Sequence, residues 1–421
     1  MEIRKMDSVC GRITVPGDKS ISHRAVMLAS LADGISNITG FLKGADCLAT
    51  IDCFQKMGIN IDVTDDCITV HGKGMRGLNR PSQMLYAGNS GTTTRLLCGI
   101  LSAQDFDSSI TGDASIQKRP MKRVTQPLSL MGANIENEYC PLYIKGGKLS
   151  GIEYKMTVAS AQVKTALILA ALFADGETVI HELIKSRDHT ELMLKAMGAN
   201  IEVDGLKITV GKTDSLRAQD IRVPGDISSA AFFLVLGSVM PDSEVTVMNV
   251  GLNPTRSGII DVLRDMGADI SIANERCEAG ESVGDITVRS AKLHGVKVGG
   301  EIIPRLIDEI PVIAAAALFA QGQTVIYDAK ELKVKETDRI QAVVDEFRKC
   351  GADITATDDG MIINGGKPLH GADFKTYGDH RMAMSLAIVA QLASGQSTLD
   401  DADCVNVSYP GFFDDFYSIE K

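Results

Sequence analysis

The stretch GIIDVLRDMGADI, residues 258–270, sets Ile260, Leu263 and Met266 three apart, the spacing of one apolar face of a helix, then meets Gly267 and passes into an alternating segment. Glycine just past the last apolar position is a helix stop, because it enters the left-handed conformation that ends a helix without a side-chain clash. The phrase recurs as MGINID from Met57, MGANIE from Met131 and again from Met197, and CGADIT from Cys350. A helix, a glycine stop and a short strand, repeated at steps of roughly 70 residues, predict an internally repeated α/β chain.

Between these phrases lies a second kind of helix, apolar on nearly every side: AVMLASLA, TTTRLLCGILSA, AQVKTALILAALFA, SSAAFFLVLGS, PVIAAAALFA and MAMSLAIVAQLA. A helix without a polar stripe belongs at a core, enclosed by its neighbours. Six of them, each paired with an amphipathic helix and strands, make six units, the last lacking its glycine phrase at PGFFDDFYSIEK. Three units per domain is the natural division of 421 residues, because single cores rarely grow past ~250–300 residues. VPGD occurs twice, from Val15 and from Val223, near units one and four, and the chain is expected to cross between domains there. Residues 17–225 would form one domain and residues 1–16 with 226–421 the other. The polar clusters at one end of the apolar helices call for a closed cleft between the domains rather than an open solenoid. An ordinary doubly wound sheet is the plainer alternative.

The net charge of −11 argues against nucleic acid or an anionic membrane as partner, since a phosphate-tracking surface needs a basic face. Any anion site must be a local concentration of cations. Nine cysteines without CxxC spacing, no leader pattern in MEIRKMDSVC and no apolar run of ~18 residues point to free thiols and a cytoplasmic chain. The seven histidines show no HxxxH or HxH spacing and no cysteine cluster joins them, so no metal is expected. GxSxG and GxxxxGK[ST] are both absent.

The starts of the apolar helices gather the polar groups: GDKSISHR, GNSGTTTR, ASAQVKT, GDISS, IDEIP and GDHRM. A helix start offers free N–H groups and a positive dipole end, hence a site for phosphate or carboxylate. A single Ser or Thr there is ordinarily a cap and a single Lys or Arg a solvated charge; repetition is what favours a site. QKRPMKR, residues 117–123, concentrates Lys118, Arg119, Lys122 and Arg123 in a loop between units that could cover a ligand, although an exposed basic patch reads the same way. KVKETDRI, residues 333–340, sets Lys335 and Arg339 four apart around Glu336. On one helix they would share a face and repel unless an anion lay between them.

Nine motifs in order, PGDKSISHR, GNSGTTTR, QKRPMKRV, SAQVKTALILAAL, SRDHTE, PGDISSAAFF, PRLIDEIP, LKVKETDRI and GDHRMAM, resemble the 5-enolpyruvylshikimate-3-phosphate synthases over most of the chain. SAQVK in place of SSQ resembles the class II branch. The resemblance implies the enolpyruvyl transferase fold, an inside-out α/β barrel of two similar domains, each of three repeated units of parallel and antiparallel sheet plus helices, closing on substrate. It implies transfer of the enolpyruvyl group of phosphoenolpyruvate to the 5-hydroxyl of shikimate 3-phosphate, releasing phosphate, without cofactor. By the same resemblance Lys19 spans both substrates, Ser20 and Arg24 hold the shikimate carboxylate, and Ser160, Ala161, Gln162, Ser186 and Arg187 form its phosphate end. Arg119 with Asn89, Gly91 and Thr92, and Gln162 beside them, would face phosphoenolpyruvate phosphate, while Arg339 and Arg381 grip its carboxylate. Asp308, with Lys335 among the shikimate 3-phosphate contacts, would take or orient the 5-hydroxyl, and Glu336 would work at the methylene. A monomer acting on these two small molecules is the expectation, with glyphosate as a competitor of phosphoenolpyruvate.

Two departures qualify the match. Many relatives carry a lysine before the C-terminal turn, where VNVSYPGFF has none, and Glu331 replaces an asparagine of the enteric type. The related UDP-N-acetylglucosamine enolpyruvyl transferases place a reactive cysteine in the loop that here reads QKRPMKRV, and Asn where this chain has Ser20. A silent anion-binding protein of the same fold is the alternative of another class, against which Lys19, Asp308, Glu336 and Arg339 speak.

Overall fold

In the computed structural model, which describes residues 1–421, the repeated phrase is a helix ending. Gly58, Gly132, Gly198, Gly267 and Gly351 all take φ between +85° and +95°. After each, the next N–H reaches back to the carbonyl five residues earlier, as Ala268 does to Leu263 at 2.9 Å and Ile59 to Phe54 at 3.1 Å. This is the Schellman ending, which satisfies carbonyls that a helix end leaves open.

The six apolar segments are helices Lys19–Leu31, Gly91–Ser102, Ala161–Ala171, Ile227–Val239, Ile310–Phe319 and His380–Leu392. Their side chains are buried on all sides; in the last but one, every residue from Ile310 to Leu318 is buried. Five of the six begin on a capping side chain, Asp18, Ser90, Ser160, Asp226 or Asp379, each accepting a first-turn backbone N–H.

The chain divides into two compact units, Gly17–Val223 with the turn Glu278–Glu281, and Met1–Pro16 with Pro224–Cys277 and Ser282–Lys421. Gly225, assigned by the sequence reading to the first domain, counts with the second unit.

In the Gly17–Val223 unit one sheet pattern occurs three times: a strand paired in parallel with its neighbour, then two antiparallel strands. Leu85–Tyr86 lies parallel to Ser108–Thr111, which is followed by Leu142–Lys145 and Asn134–Glu136. Glu153–Lys155, Thr178–His181, Lys207–Val210 and Ile201–Asp204 repeat it. In the third sheet Leu216–Arg217 and Ile221–Arg222 return to lie parallel to Ala32–Thr39 of the first repeat, so the unit closes on itself instead of growing as a solenoid.

The other unit has Lys297–Val298, Gly322–Ile326, Met361–Gly365 and Asp353–Ala356 in the same order, and Cys10–Ile13 as the parallel partner of Glu244–Gly251. The sixth unit retains only Asp373–Phe374 beside Thr398–Leu399. Residues 1–3 occupy the place of its missing hairpin, with Ile3 N–H donating to Ser397 O at 3.0 Å and Leu399 N–H to Met1 O at 2.8 Å.

One close approach positions the site. A Cβ on Gly99 would lie 2.2 Å from Ala166 O, so the Gly91–Ser102 and Ala161–Ala171 helices pack backbone to backbone. That brings their two starts, Gly91 with Thr92 and Ser160 with Gln162, side by side.

Candidate active site

In the Gly17–Val223 unit, cations collect where helices begin. Lys19, the first residue of its helix, pairs with Asp46 on the Ala45–Lys56 helix. Arg24, one turn later and 4 % exposed, donates from Nε to Thr190 Oγ1 at 2.7 Å and from its two terminal nitrogens to Thr165 Oγ1 and Ser20 O, each at 2.9 Å. Burial draws its pKa down to about 10, and Glu191 and Asp18 act against that pull. The arginine is therefore charged and fixed.

Gly91 is bare because two arginines crowd it. A Cβ there would meet Arg95 Nη1 at 2.6 Å and Arg119 Nη1 at 3.6 Å. Arg95 donates to Gln162 Oε1 at 2.7 Å, and Gln162 Nε2 donates to Thr92 Oγ1 at 3.1 Å. Gly91, Thr92, Arg95, Arg119 and Gln162 thus form one cluster at two helix starts, with Asn89 preceding them and its Oδ1 buried without a partner. Of the four cations in QKRPMKR, Arg119 joins it. The stretch is a 3-10 turn, Ile116–Lys118, followed by the helix Lys122–Leu130, and Lys122 is turned to Glu138 at 2.9 Å. Of the expected covering loop, only residues 119–121 lie between the 3-10 turn and the helix.

His23 links these starts from beneath. Its Nδ1 lies 2.7 Å from Thr50 Oγ1, Thr50 lies 2.7 Å from Thr93 Oγ1, and Thr93 donates to Ser90 Oγ at 2.7 Å. Because Thr93 spends its proton on Ser90, Thr50 must donate to Thr93 and His23 must donate to Thr50, so the ring carries its proton on Nδ1. Burial lowers its pKa to about 3, leaving the ring neutral.

Ser160 caps the Ala161–Ala171 helix, which puts Ala161 at its first turn. Ser186 is 3 % exposed, and both its N–H, at 3.0 Å, and its hydroxyl donate to Glu182 Oε1. Arg187 follows, half-buried.

In the other unit, one guanidinium organises the site. Arg339, 1 % exposed, donates to Asp379 through Nε at 2.8 Å and Nη2 at 3.1 Å, to Glu336 Oε2 at 2.8 Å and to Asp308 Oδ1 at 3.3 Å. Burial alone would lower its pKa, but Asp379, Glu336 and Asp308 override it and hold it above the usual arginine range. Arg339 in turn keeps the buried Asp379 below the usual carboxylate range. The condition that Lys335 and Arg339 share one helix is not met. Instead Asp338 caps the helix by accepting from Ile340 and Gln341, so the helix starts only at Arg339, and Lys335 is extended chain. The two cations meet across an anion all the same: Lys335 Nζ lies 3.4 Å from the same Asp308 oxygen.

Arg381 is the second residue of the His380–Leu392 helix, its N–H donating to Asp379 at 2.9 Å and its guanidinium 3.9 Å from Glu309. Glu309 accepts from Ser228, which also receives Arg256 at 2.9 Å, and Arg256 reaches Asp226 at 2.7 Å. The second VPGD thus caps its helix with Asp226 and obtains its cation from Arg256, thirty residues on. Glu331, in the 3-10 turn Lys330–Val334, is exposed.

Sequence reasoning did not single out Arg95, Asp379, Lys164 or Arg256. GDHRM held a signal for Asp379, an acid in the capping position before His and Arg. No group of three or more His, Cys, Asp or Glu side chains is placed to hold a metal, no helix is long and apolar enough to cross a membrane, and all nine cysteines are free.

A family model described as EPSP synthase (3-phosphoshikimate 1-carboxyvinyltransferase) matches residues 3–416. A protein named 3-phosphoshikimate 1-carboxyvinyltransferase from Geobacillus kaustophilus is 56% identical over 420 residues, 98% of each chain. One of the same name from Thermoanaerobacter sp. is 52% identical over 419 residues, 99% of each. Among solved structures, an EPSP synthase from Acinetobacter baumannii superposes with a TM-score of 0.91 at 44% identity, covering 100% of this chain and 98% of that one. The enolpyruvyl transferase NikO from Streptomyces tendae does so at 0.82 with 17% identity, covering 99% and 96%, which is a likeness of fold.

Proposed function

This chain belongs to the EPSP synthase family, and on that premise we propose which of its residues carry the reaction. The enzyme transfers the enolpyruvyl group of phosphoenolpyruvate to the 5-hydroxyl of shikimate 3-phosphate and releases phosphate, a step in aromatic amino-acid biosynthesis. Each substrate carries a carboxylate and a phosphate, and like charges about 4 Å apart repel by ~4 kcal/mol at an effective dielectric of 20. The cations at the helix starts answer that demand. Lys19 serves both substrates, Arg24 with Ser20 the shikimate carboxylate, and Ser160, Ala161, Gln162, Ser186 and Arg187 its phosphate. Asn89, Gly91, Thr92 and Arg119 serve the phosphoenolpyruvate phosphate, and Arg339 with Arg381 its carboxylate. Arginine suits this work because its planar fork matches a carboxylate or phosphate.

The observation that carries the reading is the trio of carboxylates on Arg339. Asp379 is buried and bound through two oxygens, while Asp308 and Glu336 are the more exposed pair and each touches the guanidinium through one oxygen. Asp379 fixes the arginine; the other two are left to move protons. Asp308 accepts the 5-hydroxyl proton as that oxygen attacks C2 of phosphoenolpyruvate. C3 gains a proton to become a methyl group, then loses one as the C2–O bond to phosphate breaks and the double bond returns. Glu336 works at C3. Lys335 holds Asp308, its Nζ 3.4 Å from Oδ1.

Phosphate release measured with both substrates, and with each alone, tests the activity: release is expected only with the pair. Asp308→Asn and Glu336→Gln should each lower kcat at least ~100-fold, the range of a lost general acid or base. Glu336→Gln alone should abolish deuterium uptake from solvent into the phosphoenolpyruvate methylene, and uptake at the wild-type rate would remove it from C3. The enzyme is further proposed to act as a cytoplasmic monomer, which sedimentation of the purified protein checks for assembly state.

A further inference from the structure

Lys164 is 0 % exposed, the one charged residue in a helix whose other buried positions are apolar except Thr165, and the reaction as described does not use it. Its ammonium lies 2.7 Å from Glu191 Oε1, 3.1 Å from Glu182 Oε1 and 3.2 Å from Ser186 O. Both carboxylates are buried, and burial raises the pKa of Glu191 despite the lysine beside it. Lys164 supplies the ammonium that these two buried carboxylates share, next to Ser186 and Arg187. Burying the pair without it would be costly in itself and doubly so beside a bound phosphate.

The cluster also has a geometric role. Lys164 rises from the first turn of the Ala161–Ala171 helix, two residues after Gln162, and its other contacts lie on the segment 182–191. Glu182 accepts both the N–H and the hydroxyl of Ser186, which fixes the loop at Ser186, with Arg187 as the next side chain. Next to Lys164 and Glu191 in sequence, Thr165 and Thr190 lie 2.8 Å apart and both receive Arg24. One lysine therefore ties the helix start 160–162 to the loop 186–187.

We propose that Lys164 is a positioning residue for the phosphate end of shikimate 3-phosphate: it joins the two elements that bind this phosphate and offsets the carboxylates behind them. The inference rests on the reading of that end given above. Lys164→Met should raise KM for shikimate 3-phosphate at least tenfold, while kcat at saturation stays within threefold and KM for phosphoenolpyruvate within twofold. A lysine with only a structural role would instead lower the active fraction, reducing kcat and leaving both KM values unchanged.

Because Lys164→Met strands two carboxylates and can fail to fold, the double variant Lys164→Met with Glu191→Gln is the companion. It keeps the net charge of the cluster and lacks only the tie. The same tenfold rise is expected in KM, and in the dissociation constant of shikimate 3-phosphate by titration calorimetry. A folded double variant with wild-type affinity would overturn the proposal. The wild-type requirement for both substrates tests the activity separately, so the two readings fail independently.

Discussion

A methyl group on residue 91 would first press on Arg95, the arginine that holds Gln162, and only then approach Arg119. Gly91→Ala is therefore expected to weaken glyphosate, the longer anion, more than phosphoenolpyruvate. An added methyl against a tight ligand costs on the order of 1 to 3 kcal/mol, so the inhibition constant should rise at least ~5-fold. Inhibition measured against phosphoenolpyruvate at saturating shikimate 3-phosphate decides this, and an unchanged constant would move Gly91 out of the site. At His23 the folded pKa of about 3 lies far below the ordinary 6.5. The unfolded chain takes the proton first, so this residue's contribution is complete above pH 6.5 and is lost as pH falls toward 3, at up to ~1.4 kcal/mol per pH unit. Urea unfolding of wild type and His23→Gln between pH 7 and 4 should give a shallower acid limb for the variant; parallel curves would contradict the buried neutral ring. Lys19, Arg24, Arg339 and Arg381 were legible in sequence because each lies within the first two turns of a helix that follows a Gly-Asp or Asp cap, and Arg119 because it lies in a cation-rich stretch. Arg95 and Lys164 were not. Inside an apolar helix a charge has no meaning until its partner is known, and Gln162 is 67 residues from Arg95.

Among the elements, the two glycine types differ in what they allow. Gly267 is followed by an open turn where an added Cβ makes only ordinary contact with His294 at 3.4 Å, so Gly267→Ala meets only the strain of a left-handed φ, about 1–2 kcal/mol. Gly99 has no room, because the obstacle is the Ala166 carbonyl of a packed helix. Gly99→Ala should cost roughly 1–3 kcal/mol by overpacking and also raise KM for both substrates, since the helix starts carrying Thr92 and Gln162 must separate. Gly267→Ala should leave both KM values alone. Denaturant melts paired with steady-state kinetics on the two variants make the comparison, and equal kinetic effects would count against the close approach as the device that sets the site. The glycine phrases and all-apolar helices were readable because helix stops and burial periodicity are local signals. The sheet closure was not, since pairing of Leu216–Arg217 with Ala32–Asp33 joins segments far apart in the chain.

At the scale of the molecule, Gly17–Val223 is one uninterrupted run that carries three complete sheets and its own core, with only the turn Glu278–Glu281 added from elsewhere. Expressed alone it should unfold in a single cooperative urea transition, while removing residues 1–16 from the full chain should weaken the other unit and leave this one's transition in place. A broad, non-cooperative melt of the isolated run would argue that its closure is incomplete. The remaining unit is stitched from both ends: Cys10–Ile13 lies along Glu244–Val247, Cys10 N–H meets Ile419 O at 2.7 Å, and residues 1–3 fill the sixth sheet. During synthesis these residues are made before everything they pair with. At roughly 5–20 residues per second, buried Ile13 waits roughly 12 to 47 s on the nascent chain for Val247 to emerge, and buried Ile3 roughly 20 to 80 s for Ser397. The ribosome therefore holds out a greasy leading tail past an already folded body, and that tail, rather than either finished unit, is where a cell's chaperones have something to hold.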